Sequence, residues 1–425
     1  MPANDLNGRR GDFAAAPALS GIRVLDFTRF VSGPYTTMLM ADAGADVVKV
    51  EPIGGEATRF LDPKIETPDG EASGYFHRFN RSKRSLCVDF RSTEGRDLLL
   101  RMIPQFDVIV ENFRPGVLDA LGLGYDVVSE IAPGLIYCSI SGFGQTAGPH
   151  RSDPAFAILA EVSAGVVGRT NRLDEPPVRL SAPIGDLYPA AMAVAGVSMA
   201  LFRRERTGEG AHIDVAMFDA LVSLNENAIT MSATTGREVR PAGRLTYTAP
   251  FGIFEAADGY ICIAVLGDKV WHRFCEAIGR PELAEASDLD TGTKRAASMD
   301  GRLGTALADW LSSRTRQQAV DELLAGGVPA GPVSTPFDII DSPQAVAREL
   351  IWDVPSYTGA VVRTPGSPIR IEPGGFATPG RVPAAGEHTR ELLESIAGLD
   401  DAEIDRLERA GVIASWSPSR QESTV

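Results

Sequence analysis

The chain has 425 residues and a formal net charge of −15 at pH 7, and 44% of its residues are apolar. This length exceeds the usual size of one domain, so we expect two domains in an ordinary soluble globular protein. So acidic a surface argues against nucleic acid or an anionic membrane as the main partner. A local basic pocket would still hold an anionic small molecule.

The sequence shows neither a targeting signal nor a convincing membrane span. Its N-terminal residues match no secretory signal and no transit peptide. The longest apolar run, 187–202, contains Pro189 and is shorter than the roughly 20 residues that a membrane span needs. We therefore expect a cytoplasmic protein with no membrane partner.

The cysteines and histidines are scattered. No CxxC, CxxH, HxxxH or HExxH spacing occurs among them. They are Cys87, Cys138, Cys262, Cys275, His77, His150, His212, His272 and His388. Structural, reduced thiols and no bound metal are the simplest expectation.

From residue 20 onward, short β-rich runs alternate with helical patterns. The predicted strands are 21–27, 45–51, 84–90, 107–112, 135–140 and 211–217, and predicted helices include 34–43 and 94–103. Strands separated by helices of about ten residues imply right-handed crossovers. The pattern therefore predicts an α/β fold with a parallel, doubly wound sheet.

The pattern changes near residue 245. Residues 251–264 are typical of two strands around an Asp258-Gly259 turn, and 269–278 and 303–324 have helical periodicity. The Pro- and Gly-rich stretch 351–381 predicts a long connection back to the first domain, before a helix with Thr389 as a possible cap and a helix at 401–410. We predict a large domain over 18–225, a small α+β domain over 245–340, and a linker with a return to the large domain over 350–415.

Ligands of open α/β sheets bind beyond the carboxyl ends of the strands. Here those ends include 28–33, Phe90-Arg91 and Asn112-Phe113-Arg114. Arginines beside an asparagine and an aromatic residue would suit an anionic ligand with a flat ring, although Arg91 and Arg114 are equally well explained as solvated loop charges. No glycine pattern of a standard dinucleotide or P-loop site follows any strand.

Asp186 is the only side chain charged at neutral pH between Arg179 and Arg203. One interpretation is a helix N-cap, with Pro189 in the first turn of the helix that follows. The other is a nucleophile, because a carboxylate at a helix N-terminus stays ionised and can attack an activated acyl group. The stretch around Asp186 alone favours the cap.

Ten segments in order carry a resemblance to a known family. They are GIRVLDFTRFVSGP, GADVVKVEPIGGEATR, NRSKRSLCVDFRSTEGRDLL, DVIVENFRPGVLDALGLGYD, SISGFGQTAGP, IGDLYPA, RRERTGEGAHIDVAMFDALVSL, DGYICIAV, GVPAGPV and GEHTRELL. Over about residues 20–412 the chain thereby resembles the class III (CaiB/BaiF-type) CoA-transferases. The resemblance implies a Rossmann-like large domain built from both ends of the chain, a smaller domain and an interlocked homodimer, with a heteromer as the alternative.

The resemblance also implies site residues and chemistry. Asp186 matches the family's catalytic aspartate, whose carboxylate forms a mixed anhydride with the acyl group of an acyl-CoA, and backbone N–H groups at the helix start would stabilise the oxyanion. CoA contacts carry over to Val31, Ser32, Val88, Asp89, Phe90, Arg91, Asn112, Phe113 and Arg114. The implied partners are acyl-CoA and a small carboxylic acid as substrates, with no tightly bound cofactor and no metal.

The chain departs from formyl-CoA transferase at three places. Val31 replaces a glutamine near the thioester, Pro52 replaces an arginine near the adenine, and the glycine-run loop has no counterpart before Phe251, where only Gly243 and Gly252 stand. These departures argue against formate or oxalate as substrate.

Two other functions remain open. Racemases of 2-methylacyl-CoA thioesters share the fold, but their His-Asp pair falls where Phe156-Ala157 stand, so racemisation is less favoured. The other is a catalytically silent CoA-binding subunit of a heteromeric enzyme.

The acceptor acid is the least determined part. Arg169, Arg172 and Arg179 precede Asp186 and could pair with a second carboxylate, which favours a dicarboxylic acceptor and succinyl-CoA as donor. Surface loop charges are the commoner explanation of such arginines. Glu161, on a predicted helix, is a further candidate to line the pocket.

Overall fold

The structure, a computed structural model, describes residues 16–67, 70–167, 178, 182–238, 245, 247–373, 375 and 379–417. Within these residues the chain forms two compact units. The first takes in the described residues as far as Val166, then 182–226, then those from Arg348 onward. The second contains 227–347.

The N-terminal part of the first unit supplies most of its strands and helices. The strands are β1 (Arg23–Asp26), β2 (Asp46–Glu51), β3 (Lys64–Thr67), β4 (Gly70–Ser73), β5 (Lys83–Val88), β6 (Val108–Glu111), β7 (Ile136–Ser141) and β8 (Ala211–Ala216). The helices are α1 (Ser32–Asp42), α2 (Gly74–His77), α3 (Thr93–Met102), α4 (Val117–Ala120), α5 (Tyr125–Ile131), α6 (Ala157–Ser163), α7 (Ile184–Thr207) and α8 (Met217–Leu224). The six strands predicted for this part are all present, within two residues at each end.

The second unit is a small antiparallel sheet with helices. Its elements, with a helix that begins at the boundary, are α9 (Glu226–Thr235), β9 (Phe251–Ala256), β10 (Gly259–Ala264), α10 (Asp268–Ala277), α11 (Gly292–Ala297), α12 (Arg302–Ser312), α13 (Arg316–Ala325), β11 (Ala330–Pro332), α14 (Pro336–Ile340) and α15 (Pro343–Ala347). β9 and β10 pair antiparallel, with Ala256 opposite Gly259, so the predicted hairpin is confirmed. Trp271 and Phe274 on α10 are fully buried in its core.

The C-terminal part returns to the first unit through β12 (Ile351–Pro355), β13 (Val361–Pro365), α16 (Thr389–Ser395), α17 (Asp401–Arg409) and β14 (Ile413–Ala414). The predicted connection over 351–381 does lead back to the first unit, and it contains an antiparallel hairpin of β12 and β13 that the sequence did not indicate. Pro355 and Pro365 each end a strand, where a missing N–H disturbs few ladder hydrogen bonds.

The expected cap of α16 is also wrong. The residue before the helix is His388, and Thr389 is its first residue. The Thr389 hydroxyl instead accepts from the Cys87 N–H at 3.1 Å and donates to the Ala414 carbonyl at 2.9 Å. Thr389 therefore ties two strands of the sheet to α16.

The main sheet has seven strands in the order β14-β5-β2-β1-β6-β7-β8. The six strands from β5 to β8 in that order run parallel, and β14 pairs antiparallel with β5 at one edge. The prediction of an α/β fold with a predominantly parallel sheet is confirmed. The chain places β2 and β5 on one side of β1, and it places β6, β7 and β8 on the other side. The strand order therefore reverses between β1 and β6. A crevice at their carboxyl ends is the expected ligand site.

Alternate residues of β1 face two separate cores. Leu25 packs in a cluster with α3, α16 and α17, whereas Val24 packs in a cluster with α1, α7 and α8. Both residues are fully buried. Helices thus cover both faces of the sheet and leave the strand ends as the place where polar groups gather.

α7 begins earlier than the sequence suggested. Its first residue is Ile184, its N-cap is Pro183, and no side chain caps it by a hydrogen bond. Asp186 is therefore the third residue of the helix and not its cap, and Pro189 lies inside the helix. Of the described helices, α7 alone is long and apolar enough to cross a bilayer. One such helix is weak evidence for a membrane protein, since core helices of soluble proteins share these properties.

Candidate active site

A cavity of about 750 Å³ opens beyond the carboxyl ends of β1, β2, β5 and β6. Six of the nine residues expected to contact CoA line it, namely Val88, Asp89, Phe90, Arg91, Phe113 and Arg114. Pro52, which the sequence singled out as a departure, lines it too. The strand-end argument and the family resemblance thus lead to the same cavity.

The cavity combines aromatic walls with guanidinium groups. The rings of Phe27 and Phe90 meet edge to face at 6.0 Å, and the Arg29 guanidinium lies over the Phe113 ring at 4.3 Å. Burial lowers the pKa of Arg29, and the charge of Arg91 lowers it further, whereas Glu56 raises it. Arg29, Arg91 and Arg114 all line the cavity, so it suits a ligand with several negative charges and a flat ring.

Arg29 was missed as a site residue, although it stands between the named positions Thr28 and Val31. The three predicted CoA contacts that do not line the cavity explain how Arg29 is held in place. The Arg29 N–H donates to Asn112 Oδ1 at 2.8 Å, and Asn112 Nδ2 donates to the Arg29 carbonyl at 2.7 Å. Asn112 Nδ2 also reaches Ser32 Oγ at 3.4 Å, and Val31 is buried as the N-cap of α1. Asn112, Ser32 and Val31 therefore do not line the cavity but hold the loop that carries Arg29.

Buried ion pairs support this loop from behind. Lys83 Nζ lies 2.9 Å from Asp26 Oδ2. Lys49 Nζ donates to the Thr28 carbonyl at 2.8 Å and lies 3.2 Å from Glu56 Oε1. All four of these charged side chains are buried. Since each charge lies beside one of opposite sign, these ion pairs support the loop after β1.

Glu51, at the end of β2, belongs to the same paired set. Its two carboxylate oxygens each accept a hydrogen bond of 2.6 Å from the Arg59 guanidinium, and one also accepts from Ser85 Oγ at 2.7 Å. Burial acts to raise the pKa of Glu51, but the charge and hydrogen bonds of Arg59 outweigh it and lower this pKa to about 2. Glu51 is thus ionised throughout the physiological range.

Glu111, at the end of β6, has different surroundings. It is buried and accepts from the Phe113 N–H at 2.7 Å and from Gln145 Nε2 at 3.3 Å, with Ser139 as a further hydrogen-bond partner. In the described part of the chain no cation pairs with it. Burial raises the pKa of Glu111 to about 7. Its place directly before Asn112 is its only signal in the sequence.

Asp186 is half-buried in the first turn of α7, and α6 fixes its position. The Gly185 N–H donates to Oε1 of the fully buried Glu161 at 3.0 Å. A Cβ atom at position 185 would lie 2.7 Å from the Ala157 carbonyl oxygen, so only glycine allows this close packing. Glu161, a weak candidate from sequence, thus holds the residue next to Asp186.

The expected oxyanion donors at the helix start are already engaged. Gly185 donates to Glu161, and the N–H groups of Asp186 and Leu187 both reach the Pro183 carbonyl at 3.0 Å. This expectation is therefore wrong for these three N–H groups. The reason is the earlier start of α7, because the carbonyl of its N-cap Pro183 accepts from Asp186 and Leu187.

Aromatic residues of α2 and α1 approach the other side of Asp186. Leu187 packs in one cluster with Val31, Tyr35, Tyr75 and Phe79. Burial raises the pKa of Tyr75, Arg78 lowers it and the charge of Asp186 raises it, so these groups lie within electrostatic range of one another. The Arg78 guanidinium lies over the rings of Tyr75 and Phe79, at 4.5 and 4.8 Å. Sequence reasoning missed Tyr75 and Arg78, whose only signal is the aromatic and basic run YFHRF.

Phe156-Ala157 offers no proton-transfer group. Phe156 is exposed and meets Phe30 edge to face at 6.2 Å, and Ala157 is buried at the start of α6.

The described residues contain no group of three or more metal-binding side chains. Arg169, Arg172, Arg179 and Gly243 lie outside the described residues.

Comparison with known proteins places this geometry in a family. The model of CoA-transferase family III matches residues 19–389. The chain is 40% identical over 89% of its length to the succinyl-CoA:mesaconate CoA-transferase of Haloarcula hispanica, covering 96% of that protein. It is 36% identical over 86% of its length to the acetyl-CoA:oxalate CoA-transferase of Acetobacter aceti, covering 91% of it.

A solved structure agrees. A CaiB/BaiF family protein from Brucella suis superposes with a TM-score of 0.81 at 32% identity, over 90% of this chain and all of that one. The chain therefore belongs to CoA-transferase family III and is an enzyme of the CaiB/BaiF type.

Proposed function

We propose that this enzyme moves CoA from succinyl-CoA to a dicarboxylic acid through an anhydride on Asp186. The observation that carries the proposal is the link between Asp186 and the cavity. Leu187, next to Asp186, packs with Val31 of the loop that carries Arg29 into the cavity. An acyl-CoA that lies along this loop would bring its thioester toward the carboxylate of Asp186.

The cavity supplies a binding mode for the nucleotide end of CoA. Arg29, Arg91 and Arg114 would bind the phosphates, because guanidinium groups match phosphate oxygens in a fork. Phe90 and Phe113 would flank the adenine ring. CoA and acyl-CoA enter this scheme as substrates.

In the first half of the reaction, a carboxylate oxygen of Asp186 attacks the thioester carbonyl carbon of the donor. The carbon–sulfur bond breaks, and CoA leaves as the thiolate with the electron pair. The acceptor carboxylate then attacks the Asp186 carbonyl carbon, the donor acid departs, and the thiolate attacks the new acyl group and releases Asp186. An anhydride is reactive enough to return to a thioester, so no other energy source is needed.

The names of the relatives support the substrate class. The Haloarcula hispanica relative is named for succinyl-CoA and mesaconate, and the Acetobacter aceti relative for acetyl-CoA and oxalate. Both acceptor acids carry two carboxyl groups, and so does the acid of the succinyl-CoA donor. Val31 and Pro52 remain arguments against oxalate here.

We further propose that the enzyme works as a homodimer in the cytoplasm, with the family's interlocked arrangement. Exposed apolar side chains of α6 and α7 support an intermolecular contact. They are Ile158, Leu159, Val162, Met199 and Phe202.

The test is intact mass spectrometry after incubation with succinyl-CoA, followed by hydroxylamine. Wild type should give an acyl adduct and then a hydroxamate, and Asp186→Asn should give neither. Asp219→Asn is a matched control, because Asp219 also lies in the first turn of a helix of this unit but is exposed. An adduct on Asp186→Asn would refute the proposal.

A second assay separates the alternatives. The proposed enzyme converts succinyl-CoA and mesaconate into mesaconyl-CoA, which chromatography detects. A racemase would instead epimerise a 2-methylacyl-CoA without CoA exchange. If wild type binds CoA but neither forms an adduct nor exchanges CoA with a panel of acyl donors, a catalytically silent subunit becomes the better explanation.

A further inference from the structure

Arg78 differs from the buried arginines near the site. Arg59 is paired with Glu51, and Arg81 is paired with Asp42 through two hydrogen bonds of 2.9 and 2.6 Å. Arg78 is exposed, and over the part of the chain that the structure describes it forms no salt bridge. Its positive charge is therefore available to an anion from solution.

Two aromatic rings nevertheless hold the Arg78 guanidinium in place. It lies 4.5 Å from the Tyr75 ring centroid and 4.8 Å from the Phe79 ring centroid. The Arg78 guanidinium also hydrogen-bonds to the Tyr75 side chain, but it carries five N–H donors, so donors remain for a planar partner. A carboxylate is such a partner, because its two oxygens match two parallel N–H donors.

The rings connect Arg78 to the nucleophile. Tyr75 and Phe79 share a cluster with Leu187, whose chain neighbour is Asp186. Both Arg78 and Asp186 act electrostatically on Tyr75. Arg78 thus lies over the Tyr75 ring, and Asp186 lies within electrostatic range of the same phenol.

We propose that Arg78 binds the second carboxylate of a dicarboxylic acyl group while the first carboxyl is joined to CoA or to Asp186. The inference rests on the proposed function, since it assigns a specificity residue to that site. Arg29, Arg91 and Arg114 line the CoA cavity and would be occupied by phosphates. Among the described arginines near Asp186, Arg78 is then left to pair with a charged acyl tail, because a guanidinium matches a carboxylate in a fork.

The test compares two donors that differ only in the distal group, succinyl-CoA and butyryl-CoA. The rate of hydroxamate formation is measured for wild type, Arg78→Met and Arg78→Lys. Arg78→Met should slow the reaction of succinyl-CoA about 30-fold relative to that of butyryl-CoA, because a charge-assisted hydrogen-bonded pair is lost. Arg78→Lys should restore part of the preference, since it keeps the charge and loses the fork.

Arg206→Met is the matched control. Arg206 also lies over an aromatic ring, Phe202 at 4.1 Å, but at the far end of α7 from Asp186. For Arg206→Met, the rate of hydroxamate formation with succinyl-CoA divided by that with butyryl-CoA should equal the wild-type ratio. Binding of acyl-free CoA, measured by calorimetry, should be unchanged in Arg78→Met and so reports folding separately.

The outcomes distinguish the two proposals. If wild type forms the Asp186 adduct and Arg78→Met keeps the wild-type succinyl-to-butyryl ratio, the role of Arg78 is refuted and the transferase function stands. If Arg78→Met lowers the rate of hydroxamate formation equally for both donors, the role of Arg78 is also refuted, because such a loss indicates a general structural effect. If wild type forms no adduct with any donor, the transferase proposal fails, and the assignment of Arg78 fails with it.

Discussion

Glu51 and Glu111 occupy the same place on two strands of one sheet but differ in the groups that contact their carboxylates. Each is the last residue of its strand, β2 or β6, and each is buried. Glu51 faces the guanidinium of Arg59, and its pKa is lowered to about 2. Glu111 has only neutral hydrogen-bond partners, and burial raises its pKa to about 7.

The comparison shows that burial alone does not decide the charge of a strand-end carboxylate. A buried carboxyl group in contact with a cation stays ionised. Without such a cation, burial favours the neutral form of the carboxyl group near pH 7. The strand ends behind the cavity therefore hold a constantly ionised carboxylate at β2 and a titrating one at β6. Protonation of Glu111 weakens its bond from the Phe113 N–H, on the loop that carries Arg114.

The largest effect is expected from Arg59→Met, which gives Glu51 the surroundings of Glu111. A buried carboxylate without its cation should lower the free energy of unfolding by about 3–5 kcal/mol. Urea denaturation at pH 7 measures this loss. The control is Arg302→Met, since the Arg302–Asp288 pair is exposed and its removal should cost less than about 1 kcal/mol. Equal losses in both variants would show that burial of the pair is unimportant.

Glu111→Gln should remove a pH dependence of stability. The pKa of Glu111 is about 7 in the folded protein and lies near the ordinary 4.5 in the unfolded chain. Between these values the folded state binds the extra proton, so wild-type stability falls as pH rises through this window. From pH 5 to pH 8 wild type should lose about 2–3 kcal/mol more than Glu111→Gln. Parallel curves of unfolding free energy for the two proteins would contradict the prediction.

Gln145→Lys should make Glu111 resemble Glu51. Gln145 Nε2 already donates to Glu111 Oε1, so an ammonium group at this position would lie close to the carboxylate. A neighbouring cation lowers a carboxyl pKa by about 1–3 units. The carboxyl band of Glu111, followed by difference infrared spectroscopy against Glu111→Gln, should titrate at lower pH in Gln145→Lys. If the titration midpoint of the Glu111 carboxyl band is unchanged in Gln145→Lys, the lysine points into solvent and the prediction is contradicted.

Glu161→Ala should have the smallest effect on stability and a clear effect on catalysis. Loss of the acceptor for the Gly185 N–H should cost about 1 kcal/mol of unfolding free energy, as at other helix N-termini. Because Gly185 precedes Asp186, we expect kcat to fall about tenfold with little change in KM. Glu161→Gln keeps an oxygen acceptor and should restore most of kcat. Equal losses in the two variants would argue against a positioning role.

Much of the fold was predictable because its signals are local. β-Branched runs such as DVVKVE predict strands that recur at regular spacing, and Asp258-Gly259 marks its hairpin. The hairpin of β12 and β13 was hidden because prolines at strand ends resemble those of a loop. The start of α7 was misplaced because Pro189 is ordinarily a first-turn residue, whereas here it lies within the helix.

The site was predictable where it follows the strand ends and not where it depends on packing between distant segments. Phe90, Arg91, Phe113 and Arg114 could be named from their positions after strands. Arg78 could not, because its role arises from a four-residue helix, α2, whose aromatic neighbours pack with Leu187, more than a hundred residues away in the chain. The low pKa of Glu51 likewise depends on the contact with Arg59, which no strand pattern reveals.

The pairing of β14 with β5 has a consequence for synthesis on the ribosome. β5 is made early, but the strand that pairs with the Cys87–Val88 end of its outer edge, Ile413–Ala414, is among the last described residues to emerge. Until then a nascent chain presents the unpaired N–H and C=O groups of β5, an edge to which other strands can add. Production of this protein should therefore benefit from slow expression or from chaperones that hold the growing chain until its C-terminal segment is released.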